Sequence, residues 1–174
     1  ADAQAQEIIA KGEAEYMRLK DMHEDIQAVR ASSSMPLVSR KVKIGDEYYL
    51  DGGISDSIPI RKSIADGNEK NVVILTKEIG FRRKAESQMA LIKARYARYP
   101  KVYELMKERD VEYNKTLDYL EEQEKEGRAF IFRPRKKSQV GRVERDKSKL
   151  DALYEEGYRD AQERYVELLE YLSR

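Results

Sequence analysis

Between Asn71 and Thr76 the chain reads NVVILT, four consecutive apolar residues of which three are β-branched. A run that short, without alternation, fits a strand covered on both faces, as in a parallel sheet. The preceding Pro59–Ala65 segment ends at Asp66-Gly67 and reads as a crossover helix, so Asp51–Thr76 predicts the strand–loop–helix–strand form of an α/β unit. Apolar residues for such elements are scarce. Leu, Ile, Val and Phe make up about 22% of the 174 residues, 39% are charged, and 12 Tyr add buriable area. Disorder would need a high net charge, but 34 Lys and Arg face 33 Asp and Glu. The expectation is a folded chain with a small core and much solvated helix surface, and the balance of charge names no polyanionic partner.

Composition changes near residue 85. Before it, residues 1–11 read weakly as a helix, Glu15–Leu19 as a strand, and Glu24–Ala31 as a helix with Ile26 and Val29 on its apolar side. Ser32-Ser33-Ser34-Met35-Pro36 ends that helix, because proline disfavours helical backbone in the residue before it. Val42, Ile44 and Tyr48–Leu50 predict two short strands across a turn at Gly45-Asp46. After Arg83, residues 87–97 and 101–126 are helical by composition, with Val102, Leu105, Met106, Tyr113, Leu117 and Leu120 on one stripe. Ala129–Phe132 is a short strand. Residues 148–173 place Leu150, Leu153, Tyr154, Tyr158, Ala161, Tyr165, Leu168 and Leu172 on one face. That face is expected to be core, since tyrosine buries its ring while its hydroxyl reaches water.

Several functions drop out. With no Cys there is no disulfide framework, thiolate metal site or cysteine nucleophile, and one His cannot build a His-rich site. No metal or organic cofactor is implied. His23, among Asp21, Glu24 and Asp25, reads as a surface or capping residue. No apolar run approaches the roughly 18 residues of a membrane span, and no targeting segment is visible at the start. A cytoplasmic protein is expected, with attachment to a peripheral membrane surface as the alternative.

The richest stretch is ASSSMPLVSRKVKIGDEYYLDGGISDSIPI, residues 31–60. Tyr48-Tyr49-Leu50 brings Asp51 to a strand end, and Gly52-Gly53 follow. Paired glycines permit a tight turn, close backbone approach and positive φ, which can hold a carboxylate at a sheet edge facing a cleft. A hairpin turn would use the same Asp-Gly pair. The order of Ala31-Ser32-Ser33-Ser34-Met35-Pro36, then Tyr49-Leu50-Asp51-Gly52-Gly53, Pro59 and the strand Val72–Leu75 resembles the patatin-like phospholipase family, whose ASxxxP element precedes a DGG motif. Ser55-Asp56-Ser57-Ile58-Pro59-Ile60 is similar to the segment after DGG in bacterial members. Tyr154-Glu155-Glu156-Gly157-Tyr158 resembles a Tyr-x-x-Gly-Tyr element in some of their tails.

The resemblance implies an α/β fold: residues 1–84 as the C-terminal part of a three-layer hydrolase core, followed by a mostly helical accessory region, residues 85–174. It also implies hydrolysis of lipid acyl esters by a Ser–Asp dyad, the Ser in a GxSxG turn and the Asp in DGG. Asp51 matches that carboxylate, with Gly52 and Gly53 supporting it. The chemistry is coherent, because a hydroxyl nucleophile needs a base within hydrogen-bond reach and a Gly-rich loop can offer N–H donors to the oxyanion. The neighbouring acids Asp46, Glu47, Asp56, Asp66 and Glu69 are not followed by paired glycines. Neither GxSxG nor a Gly-rich oxyanion loop occurs in this chain. The expectation is therefore a fragment, inactive alone, whose partner is the missing N-terminal half; a degenerate family member is the alternative. Ser32, Ser33 and Ser34 lack the strained turn that presents a nucleophile and read as cap or turn residues.

Residues 133–149 hold eight basic and two acidic side chains. Arg133, Arg135, Lys136, Lys137 and Arg142 are candidate contacts to an anionic lipid surface, against the reading of a solvated linker with no amphipathic face. Nucleic acid is not expected, for want of a fold motif or interleaved aromatics. A separate reading makes the late helices a non-catalytic interaction module, 101–126 and 148–173 pairing with each other or with a partner. Unpaired strand edges of an incomplete sheet would also favour self-association.

Overall fold

A computed structural model describes residues 22–141 and 144–174. The helix over 1–11 and the strand at Glu15–Leu19 lie outside the described residues. Helix α1 covers 22–32, followed by β1 (Val42–Ile44), β2 (Glu47–Tyr49), a 3-10 turn (Gly52–Ile54), α2 (Ile60–Ala65) and β3 (Asn71–Ile74). Then come α3 (Met89–Arg95), α4 (Pro100–Lys125), β4 (Ala129–Phe132), α5 (Lys147–Glu163) and α6 (Tyr165–Ser173). The result is a mixture of helices and small sheets. The described residues form two compact units, one from 22–57 and 86–109 and the other from 58–85, 110–141 and 144–174.

In the first unit β1 and β2 make an antiparallel hairpin, Val42 opposite Tyr49 and Ile44 opposite Glu47. Gly45 takes φ +58° at the first turn position, where a two-residue hairpin loop needs a residue free of Cβ strain. Ile54, Ile92, Tyr96 and Met106 form the buried cluster of this unit.

In the second unit β3 and β4 pair in parallel, Asn71 beside Ala129 and Ile74 beside Phe132. One sheet face joins Ile60, Leu75, Leu117 and Leu120 in a core with Ala129 and Ile131. The apolar stripe of α4 is thereby shared: Met106 belongs to the first cluster, Leu117 and Leu120 to the second.

Three expectations are corrected. First, Asp51–Thr76 is not one α/β unit, because β2 pairs with β1 and β3 with β4. Every residue of β2 is exposed, as suits a hairpin strand and not a central one. Second, β3 is not covered on both faces: Asn71 and Leu75 are buried while Val72 and Ile74 are 44% and 76% exposed. Third, the 148–173 face is not core. No residue of α5 is buried, and the helix breaks at Arg164, whose Nη1 donates to the Ile131 carbonyl at 2.6 Å and whose guanidinium lies 4.4 Å from the Phe130 ring centre. The buried residue of α6 is Tyr171, off the expected stripe. Its hydroxyl accepts the Asn71 N–H at 2.8 Å and donates to the Arg128 carbonyl at 2.9 Å.

Asp146 caps α5, its Oδ1 accepting from the Ser148 hydroxyl at 2.6 Å and the Ser148 N–H at 2.9 Å. The hydroxyl bond first, then the backbone bond, hold its carboxyl below the usual range. A lowered folded-state pKa stabilises fully above the ordinary value and loses its effect as pH falls through the lowered one. Acid titration followed by circular dichroism should show an α5 loss in that window, and Asp146→Ala should abolish that step. In denaturant unfolding, Tyr171→Phe strands the buried Asn71 N–H and should cost about 1–3 kcal/mol, while Leu120→Ala should cost about 2–5 kcal/mol. Leu172, 47% exposed, should tolerate alanine with little change.

Candidate functional site

The hairpin ends at Tyr49, and Leu50 carries the chain to Asp51. There it enters the 3-10 turn with Asp51 as N-cap, φ −51° and ψ 123°. Asp51 Oδ1 accepts the Gly53 N–H at 2.7 Å, and the Asp51 N–H donates to the Ser34 carbonyl at 3.0 Å. The serine-rich and DGG elements thus meet at Asp51. Ser34 is buried, and its hydroxyl donates to the Arg30 carbonyl at 2.8 Å; the Ser33 hydroxyl does the same at 3.0 Å. These hydroxyls close the end of α1.

The two glycines play different parts. A Cβ on Gly53 would lie 3.0 Å from Asp51 Oδ1 and 3.5 Å from an Arg109 guanidinium nitrogen, whereas one on Gly52 would meet nothing within 4 Å. Neither has positive φ, which corrects that part of the sequence argument: the turn uses ordinary dihedrals, and only Gly53 is needed for close approach. Positive φ falls instead on Leu37, at +66°, an uncommon conformation for a residue with a side chain. Its N–H donates to the Tyr96 hydroxyl at 3.3 Å.

Asp51 is half-buried and lines a pocket of about 200 Å³. Leu50, Ile54, Val102 and Leu105 contribute its apolar lining, and Lys41, Tyr48, Tyr96 and Tyr99 are among the other residues around it. The Lys41 ammonium lies 3.9 Å from the Tyr48 ring centre and 4.2 Å from that of Tyr99, and it donates to the Tyr99 hydroxyl. Sequence reasoning missed Lys41, Tyr99 and Arg109. All three belong to runs of charged and aromatic residues in which no spacing singles them out.

The basic candidates lie in the second unit. Arg133 pairs with Glu124 at 2.7 Å, and Arg135 pairs with Glu163 and approaches Asp160 at 3.9 Å. Lys136 and Lys137 are exposed, and Arg142 lies outside the described residues. Arg133 and Arg135 border a groove of about 430 Å³ that also includes Tyr154, Gly157 and Tyr158. His23 is exposed on α1. Among the described residues no three His, Cys, Asp or Glu side chains group as a metal site, and no helix is long and apolar enough to cross a membrane.

A carboxylate oriented by a backbone N–H at the edge of an apolar pocket suits proton transfer on a substrate with an apolar part. Comparison with known families gives two partial matches. Residues 18–64 match the family model for patatin-like phospholipase, and residues 99–173 match that of a domain of unknown function (DUF6363). No curated protein and no solved structure matches the chain. The Asp51 loop falls within the first matched segment, and Tyr99, Val102 and Leu105 fall within the second.

Gly53→Ala should push on the Asp51 carboxylate and destabilise the chain by about 1–3 kcal/mol, with a shift of the Asp51 carboxyl carbon signal in NMR. Gly52→Ala should leave both near the wild-type values.

Proposed function

We propose that this chain supplies the carboxylate base of a serine-dependent carboxylic-ester hydrolase acting on lipid acyl esters. Residues 1–84 are read as the C-terminal part of its catalytic domain and residues 85–174 as a helical accessory region. A Ser hydroxyl in a GxSxG turn, which this sequence does not contain, attacks the ester carbon. Asp51 takes the hydroxyl proton and returns it to the departing alkoxide. Water then releases the acyl group from the serine with the same base. The observation that carries the reading is the meeting of the serine-rich element and the DGG element at Asp51, beside an apolar pocket, within the segment that matches patatin-like phospholipase.

A second reading, an interaction module, draws on the exposed apolar residues of the late helices. Tyr154 and Tyr158 stack at 6.3 Å, and Tyr154 and Val166 are 68% and 66% exposed. Such a surface favours self-association or a partner protein. A sedimentation series that stays monomeric at every concentration would remove the self-association arm.

In the protein carrying the nucleophile, Asp51→Asn should lower kcat about 10²–10⁴-fold, while Asp46→Asn in the exposed hairpin turn should stay near wild type. Near-full activity of Asp51→Asn would sink the assignment. The present chain alone should leave nitrophenyl butyrate untouched; turnover abolished by Asp51→Asn would place a nucleophile within it.

A further inference from the structure

We infer that the open edge of β3 is an interface between two copies of this chain. The two β3 strands pair antiparallel about a two-fold axis at Val73, giving a four-stranded sheet in the order β4–β3–β3–β4. This is independent of the ester-hydrolase reading, and it places self-association on β3 and not on the late helices.

Backbone alternation decides which way β3 can bond. The Leu75 N–H donates to the Phe132 carbonyl at 2.8 Å, and the Asn71 N–H donates to the Tyr171 hydroxyl, itself bonded to the Arg128 carbonyl. Odd-numbered residues therefore turn their peptide groups toward β4, and Val72 and Ile74 turn theirs to the opposite edge. No strand lies on that edge among the described residues. The far side of β4 is closed, since Arg164 takes the Ile131 carbonyl and Ala129, Phe130 and Ile131 are buried. Natural edges are commonly blunted by charge, proline or a bulge. Asn71–Ile74 carries no charge or proline and pairs with β4 without a bulge. On the outer face Phe130 and Phe132 lie under Arg164, while their β3 neighbours Val72 and Ile74 are exposed.

The strand that fits this edge is β3 itself. Edge-directed residues must face edge-directed residues, so the axis falls on Val72, Val73 or Ile74. On Val72 it sets Ile74 against Lys70, and on Ile74 it sets Val72 against Thr76. On Val73 it sets Val72 of each copy against Ile74 of the other, apolar on apolar, in hydrogen-bonded pairs. The same register brings the exposed Glu69 of each copy level with the exposed Lys77 of the other, so the charges are complementary where the strands end. A two-fold axis perpendicular to the sheet keeps like faces together, and the four Val72 and Ile74 side chains form one apolar strip. A two-stranded sheet is marginal, and strands added beside a shared apolar face make it more stable. An edge of four residues buries less than the about 1,200–2,000 Å² of lasting interfaces, so the dimer is reversible.

The test is sedimentation velocity of this chain over a rising concentration series. The wild type should pass from monomer to dimer and no further, because pairing closes the open edge. Ile74→Pro removes an edge N–H and leaves the bonds from odd-numbered residues to β4, so it should keep the circular dichroism spectrum and abolish the dimer. Val72→Glu and Ile74→Lys should each be monomeric alone, since each sets a charge against an apolar side chain. Mixed, they should form a heterodimer at least about fivefold more tightly than either self-associates, because this register sets the two introduced charges face to face. The mixture keeps the test decisive should Ile74→Pro unfold. Tyr154→Ser should dimerise like the wild type. A wild type that stays monomeric throughout overturns the inference, as does a dimer that survives Ile74→Pro. Dimerisation lost in Tyr154→Ser but kept in Ile74→Pro would move the contact to the late helices and leave only the second reading standing. Two folded single variants whose mixture restores nothing would refute the register.

Discussion

Asp51 is held from two directions: its N–H is tied to the Ser34 carbonyl, and its carboxylate accepts the Gly53 N–H. The first bond brings two sequence elements together, and the second orients the carboxylate. Both bonds constrain backbone, so the carboxylate position is defined before any ligand arrives. The further hydrogen bonds of the loop, from Ser55 and Ser57 hydroxyls to the Gly52 and Gly53 carbonyls, keep the turn closed behind it. The absence of a side chain on Gly53 is what lets that N–H approach the carboxylate, because a Cβ there would lie 3.0 Å from Asp51 Oδ1.

The second unit is organised by polar atoms as much as by its apolar core. Its parallel pair is short, and such a pair has marginal stability without covering elements. Tyr171 supplies one cover, a ring 5.7 Å from Phe130 and a hydroxyl that satisfies the first N–H of β3. Arg164 supplies another, lying over Phe130 and bonding the Ile131 carbonyl. Covering β4 in this way leaves Val72 and Ile74 of β3 exposed, together with the tyrosines of α5.

Much of the secondary structure was legible because it depends on local chemistry. The helix that ends in the serine run, the Gly45 turn, the AFIF strand and the long α4 all follow from caps, glycine and periodicity. That Asp51 lies at a turn after a strand was legible too, from the Asp-Gly pair that follows the apolar run. What was not legible is pairing. Four apolar residues in a row are compatible with a central strand, and whether both faces are covered depends on which elements pack above and below the sheet. The stripe on 148–173 had the right period, yet the helix breaks at Arg164, where the side chain bonds a carbonyl on β4, and Tyr171 was buried in place of Leu172.

The sequence by itself determined which backbone segments could be helix, strand or turn, which carboxylate sits in a glycine-bounded loop, and which chemistries are excluded by the lack of cysteine. These follow from interactions between residues a few positions apart. The tertiary structure alone decided that Ser34 anchors Asp51, that only one of the two glycines is sterically required, and that Lys41 lies against Tyr48 and Tyr99 on the Asp51 pocket. Those outcomes join residues far apart in the chain, and no local propensity encodes a distance that only packing creates.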